Sequence, residues 1–287
     1  MKRLLIKILL FVVLGFPVYF CAHRYIYTHY RTPMNELIRR SLKRADSKRP
    51  YDRVIVGDSV SRQLFNDKNQ AKSKYEHLTT NAATTMLGQY VLLMEYLKHN
   101  TVSEIIVLMN PYSMTDDLNR KFTANYVVGT MYRHPYKQYV TQRAERQIRH
   151  CRWWFVPVLF SEFPELCLID YQQVNPKPYV YEVFFSPLSI EYLKLLRDEC
   201  AKRNILLRLI SPPIPAEFKD MDTAFMAQQL VEHGLMVIAP DYFPLKFKPD
   251  AMFADELHPK GPYIDEFRNS LGVEWRREGG EIVDRRP

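Results

Sequence analysis

Arg53-Val54-Ile55-Val56-Gly57-Asp58-Ser59 reads as a short buried strand brought to a stop. The β-branched apolar run favours an extended, packed backbone, and Gly57 ends it. A serine just past that stop stands at the carboxyl end of a strand, where open α/β sheets hold their ligand sites. A short helix is expected from Val60 to Phe65, then a polar loop from Asn66 to Glu76 and a second strand over His77–Asn81. Leu87, Tyr90, Val91, Met94 and Leu97 recur at helical spacing, which predicts an amphipathic helix over Thr84–His99. Glu104–Met109 reads as a fully buried strand. Ile190, Leu193, Leu196 and Cys200 mark another helix, and Leu206–Ile210 a strand stopped by Pro212-Pro213. A helix over Thr223–His233 and a last strand over Met236–Ile238 complete the series. Strands alternating with helices predict an α/β fold, a three-layer α/β/α parallel sheet.

Residues 114–183 break the alternation. They hold Trp153-Trp154-Phe155-Val156-Pro157-Val158-Leu159-Phe160, many tyrosines and several arginines, and they are too long for a passive loop. Two readings stay open: an inserted cap near the carboxyl ends of the strands, or a segment packed on the flank of the sheet. The tail from Arg276 onward reads as an exposed end.

The amino terminus carries its own signal. Met1-Lys2-Arg3 precedes Leu4-Leu5-Ile6, then Lys7, then an apolar run from Ile8 to Ala22. With Lys7 snorkelling, that length lies between a signal-peptide core and a short spanning helix. Tyr19-Phe20-Cys21 puts bulky rings where a signal peptidase needs small side chains, so residues 1–22 are expected to stay as a signal anchor. Residues 23–50 read as a basic stalk with one helix near Met34–Lys43, ahead of a domain spanning 51–287.

Composition narrows the class. With 47% hydrophobic and 25% charged residues over 287 positions, a folded domain is expected rather than a disordered chain. The net charge of +8 is crowded towards the amino terminus without interleaved aromatics or a binding module, which argues against nucleic acid as partner. Cys21 lies in the anchor, and Cys151, Cys167 and Cys200 cannot all pair within one chain. A Cys151–Cys167 bridge and three free thiols both stay open. No metal-ligand spacing occurs, and no cofactor is expected.

Far along the chain, Asp255-Glu256-Leu257-His258 puts two titratable groups on one turn. Ser59, Asp255 and His258 follow the chain order of one kind of hydrolase triad. Ser59 would attack a carbonyl, His258 would carry the proton, and Asp255 would hold the imidazole tautomer. Ser59 and His258 each have a plain explanation too: a helix-capping serine after a strand, and a surface histidine before a proline turn. Ser61 is the nearest alternative hydroxyl. Asp58 and Arg62 beside the serine read as solvated charges at a helix start, with substrate steering as the other option.

These motifs resemble the SGNH (GDSL-type) hydrolases. Gly57-Asp58-Ser59 looks like their first block and Asp255-x-x-His258-Pro259-x-Gly261 like their last. Asn81-Ala82-Ala83-Thr84-Thr85-Met86 keeps the asparagine of the second block without its glycine, and Asn110-Pro111 follows the third strand where the family carries Gly-x-Asn-Asp. The resemblance implies a flavodoxin-like sheet and an oxyanion hole from the Ser59 N–H, an N–H near Ala83 and the Asn110 side chain. Its departures resemble the membrane-anchored branch that serves envelope polysaccharides, such as alginate O-acetylation proteins and the teichoic acid D-alanyl transfer protein. That implies a single-pass protein of the bacterial inner membrane with its domain facing the periplasm or cell exterior. The activity implied is that of a serine esterase or O-acyltransferase on an acylated polysaccharide or other ester, with a multi-pass membrane acyltransferase as a partner. A catalytically silent glycan-binding or scaffold module is the alternative.

Overall fold

The computed structural model describes residues 33–66, 73–81, 84–115, 130–132, 134–152, 184–219 and 223–272. It also describes Leu118, Thr123, Val127 and parts of 3–18. Four parallel strands form the central sheet: β1 (Arg53–Gly57), β2 (Glu76–His77), β3 (Glu104–Leu108) and β4 (Leu206–Ile210), in the order β2-β1-β3-β4. Val56 of β1 pairs with Val107 of β3, which pairs with Leu209 of β4.

Alternate side chains of each strand enter different cores, as the two-residue period of a strand requires. Val54, Val56, Ile105, Val107, Leu207 and Leu209 join one apolar cluster. Ile55, Ile106, Leu108 and Ile210 join another. The first cluster packs under α1 (Pro33–Ala45), α3 (Thr85–His99), α6 (Pro187–Lys202) and α7 (Ala224–Glu232). The second packs under α2 (Ser59–Leu64) and α8 (Ile264–Ser270), where Phe253 meets Phe267 edge to face. Burying both faces turns each strand into a continuous apolar run, which is why β1, β3 and β4 stand out in the sequence. The fold is therefore α/β, with helices on both faces of a parallel sheet.

Several segments differ from expectation. Met236–Ile238 is a 3₁₀ turn and not a strand. It follows Gly234, whose φ of +64° bends the chain, and Pro240 two residues on cannot donate to a ladder. The strand expected over His77–Asn81 is assigned only at Glu76–His77, yet Leu78 and Thr80 still donate from their backbone N–H groups to Ile55 and Gly57. A second, two-stranded parallel sheet pairs β5 (Ile214–Pro215) with β6 (Phe247–Lys248). Two residues per strand are too few to show a period.

The basic stretch expected as a stalk is part of the fold from Pro33 onward. Ile38, Leu42 and Ala45 bury the inner face of α1 against α3. Arg44 and Arg49 both hydrogen-bond the fully buried carboxylate of Glu76 on β2. A buried carboxylate left alone would be strongly destabilising, so the two arginines bind α1 to the sheet edge. The helix itself was expected near Met34–Lys43; its docking was not, because a high basic content reads as a solvated stalk.

Within the insertion, a 3₁₀ turn over Tyr136–Tyr139 lies against α3, while α5 (Gln142–Arg152) joins the same core through Ala144 and Ile148 and pairs Arg143 with Glu191 of α6. Tyr192 on α6 accepts from the Thr141 N–H and donates to the Tyr139 carbonyl, and Lys98 at the far end of α3 sits over the Tyr139 ring. This part packs on the flank of the sheet. The octapeptide Trp153–Phe160 lies outside the described residues, as do Cys21, Cys167 and the tail, while Cys200 is a buried free thiol. Burial pushes that thiol up to about 12, so it stays protonated.

The described residues between 3 and 18 are helical, and their large apolar side chains are exposed, Phe11 and Val18 by 80% and 70%. Among the described residues no helix is long and apolar enough to cross a membrane.

Candidate active site

The site begins with a glycine that has no room for a side chain. A Cβ on Gly57 would stand 2.0 Å from the Leu108 carbonyl oxygen and 2.4 Å from Ser61 Oγ. The close approach lets the ends of β1 and β3 meet. Asp58 then caps α2, its Oδ1 accepting from the N–H groups of Val60 (3.0 Å) and Ser61 (3.1 Å). Its Oδ2 accepts from the Asn110 N–H at 2.9 Å and the Ser113 hydroxyl at 2.7 Å. Asp58 is 1% exposed, so the expectation of a solvated charge is corrected: it is a buried carboxylate stitching β1, β3 and two helix starts together. Burial, followed by the charge of Asp58, raises the Tyr242 phenol well above its ordinary range. Tyr242 thus remains a donor, to the Met109 carbonyl at 3.3 Å.

With the strand end fixed, Ser59 is the first residue of α2 and is half-buried. Its Oγ lies 2.9 Å from His258 Nε2. Ser61, the alternative hydroxyl, is fully buried and donates to the Leu108 carbonyl, which removes it from the site.

His258 arrives on a self-contained loop. Phe253 and Pro259 form an antiparallel bridge, with the Ala254 N–H donating to the His258 carbonyl and the Lys260 N–H to the Met252 carbonyl. Inside it, Asp255 Oδ1 accepts from the N–H groups of Leu257 and His258, both at 2.8 Å. The same carboxylate faces His258 Nδ1 at 2.9 Å and 3.0 Å. A carboxylate can only accept here, so the ring proton belongs on Nδ1 and Nε2 is left to accept from Ser59. Partial burial, the largest influence on Asp255, works to raise its carboxyl. The Leu257 and His258 N–H groups and the His258 ring outweigh it and hold the carboxyl below its usual range. The structure thus brings Ser59, His258 and Asp255 into one hydrogen-bonded chain.

The expected oxyanion donors are less completely placed. Asn110 is fully buried, and its Oδ1 accepts from the Tyr112 N–H at 2.9 Å, capping the short helix α4 (Pro111–Met114). Its Nδ2 is buried and has no hydrogen-bond partner among the described residues. Ala83 lies outside the described residues. Beside it, Asn81 is buried and accepts from the Thr84 N–H and hydroxyl, and Thr85 has φ +53°, a left-handed conformation that strains a β-branched residue. Among the described residues, no group of three or more His, Cys, Asp or Glu could hold a metal ion.

Two supporting residues escaped the sequence. Ser113 grips Asp58 from the turn after β3, and Gln89 of α3 donates from Nε2 to the Gly57 carbonyl at 3.2 Å and to Thr80 Oγ1 at 2.9 Å. Gln89 stands off the Leu87–Val91–Met94 stripe of α3, where a polar residue reads as solvent-facing, so no sequence sign marked it. For Ser113 no sign stood out, since a serine in a turn needs no partner. Searches against known proteins found no matching family model and no matching curated protein.

Proposed function

We propose that this chain is a serine ester hydrolase or O-acyltransferase of the SGNH type. The observation that carries the proposal is the chain of hydrogen bonds from Ser59 through His258 to Asp255. In the reaction, Ser59 Oγ attacks an ester carbonyl while its proton passes to His258 Nε2. The tetrahedral oxyanion collapses, the alkoxy–carbonyl bond breaks, and His258 returns the proton to the leaving alcohol. The acyl group then sits on Ser59 until water or a sugar hydroxyl attacks it by the same steps in reverse, giving hydrolysis or transfer. Asp255 keeps the productive tautomer and offsets the imidazolium charge. The unpaired Nδ2 of buried Asn110 supports its reading as an oxyanion donor.

An exposed apolar helix at the amino terminus supports membrane anchorage, and the motif resemblance supports a bacterial inner membrane with the domain on the periplasmic or outer side. The motif resemblance supports an acylated envelope polysaccharide as substrate and a multi-pass membrane acyltransferase as partner. A fluorophosphonate probe tests the chemistry on the full chain in detergent. Labelling that disappears in Ser59→Ala and His258→Ala is the expected result. A folded wild type that takes no label would move the protein to the second reading, a silent glycan-binding or scaffold module. That reading has its own support: Asn110 Oδ1 serves the Pro111 turn. Asn110→Ala decides between the two roles of this residue. As an oxyanion donor its loss slows turnover by about 10²–10³-fold; as a turn former its loss lowers stability and leaves the folded fraction's activity intact.

A further inference from the structure

Gln63 lies four residues after Ser59 on α2, and residues four apart share one face of a helix. On that face Ser59 meets His258, while Gln63 Nε2 donates to the carbonyl of Pro259 at 2.7 Å. Two neighbouring side chains of the helix therefore grip two consecutive residues of the loop. Behind it, Arg268 Nε of α8 donates to the Leu64 carbonyl at 2.8 Å and holds the other end of the same helix turn.

The other half of the Gln63 amide gives nothing back. Its Oε1 is buried and has no hydrogen-bond partner among the described residues. A residue retained for stability alone would satisfy both ends, since an unpaired buried acceptor offsets what the donated bond contributes. Resting on the hydrolase reading above, we infer that Gln63 is a positioning residue. It fixes the His258 loop against α2 so that Nε2 meets the Ser59 hydroxyl.

The test compares the rate of fluorophosphonate labelling and the thermal midpoint for the full-length wild type, Gln63→Met and Gln63→Glu between pH 8 and about pH 5. Methionine keeps the length and shape without the donor. Glutamate turns the donor into an acceptor that regains a proton, and with it a donor, only towards the ordinary glutamate range of about 4–5. Gln63→Met is expected to label about 10- to 100-fold more slowly, the scale of loss from a misplaced catalytic group, with its thermal midpoint unmoved. Gln63→Glu should be as slow at pH 8, and its rate relative to wild type should climb as the pH falls. Wild type and Gln63→Met labelling at the same rate would overturn the inference while leaving the hydrolase reading intact. So would a Gln63→Met whose thermal midpoint falls together with its labelling, because that is a structural residue. A Gln63→Glu ratio flat with pH would also overturn it. Absence of labelling in folded wild type is the separate failure of the hydrolase reading itself.

Discussion

The two halves of the candidate site are built in opposite ways. Ser59 rests on a strand end where Gly57, Asp58 and Ser61 are buried and cross-linked to β3. His258 and Asp255 rest on a loop that organises itself by local hydrogen bonds, with side chains 32% and 59% exposed. The first half is held by the core; the second is shaped by itself and then docked. Damage to the first should therefore be read in stability, and damage to the second in chemistry.

Asp255→Asn is the sharpest expected effect. Asparagine still accepts from the Leu257 and His258 N–H groups, so the loop should persist, but it no longer enforces the tautomer that frees Nε2. Labelling should fall by about 10³–10⁴-fold with little change in urea midpoint. A large stability loss would show that the loop is not self-contained.

Asp58→Ala should do the reverse. It removes the acceptor for two helix amides, the Asn110 N–H and the Ser113 hydroxyl, all within the core. A cost of about 1–3 kcal/mol is expected for each of these donors that finds no new partner, read as a lower urea midpoint. A cost under about 1 kcal/mol would erase the contrast between the halves. Gly57→Ala comes next, at about 1–3 kcal/mol or somewhat more, because its methyl group would press on the Leu108 backbone, which cannot yield without moving β3.

The smallest effect separates the halves by pH. Asp255 is held below its unfolded carboxyl value, so its contribution is fully present above that value, near 4, and is lost as pH falls through the lower folded one. Exposure to water keeps it well under about 1 kcal/mol. The gap in urea midpoint between wild type and Asp255→Asn should close below about pH 4; a gap constant down to strong acid would mean that the carboxylate has no folded-state partner.

What the sequence disclosed follows the same division. β1, β3, β4, α3 and α6 were legible because burial on both faces or along one stripe writes a pattern over five to sixteen residues. Ser59, Asp255 and His258 were legible through chain order and local spacing. Asp58 was not, because a charge beside a helix start looks alike whether water or Ser113 receives it. Gln63 was not, because its partner is a backbone carbonyl 196 positions away. Asn110 was half legible: the turn ahead of Pro111 is written in the sequence, but the unpaired Nδ2 is visible only once the core closes around it.

The docking of α1 also sets a working radius. Had the basic segment 23–50 hung free, a fully stretched tether of 28 residues could have carried the domain about 100 Å from its anchor. With Arg44 and Arg49 fastened to Glu76 and α1 packed from Pro33, only residues 19–32 separate the apolar helix from the folded body. Fourteen residues reach at most about 50 Å. On the anchored reading, the docked α1 confines Ser59 to about half the distance from the membrane that a free stalk would have allowed.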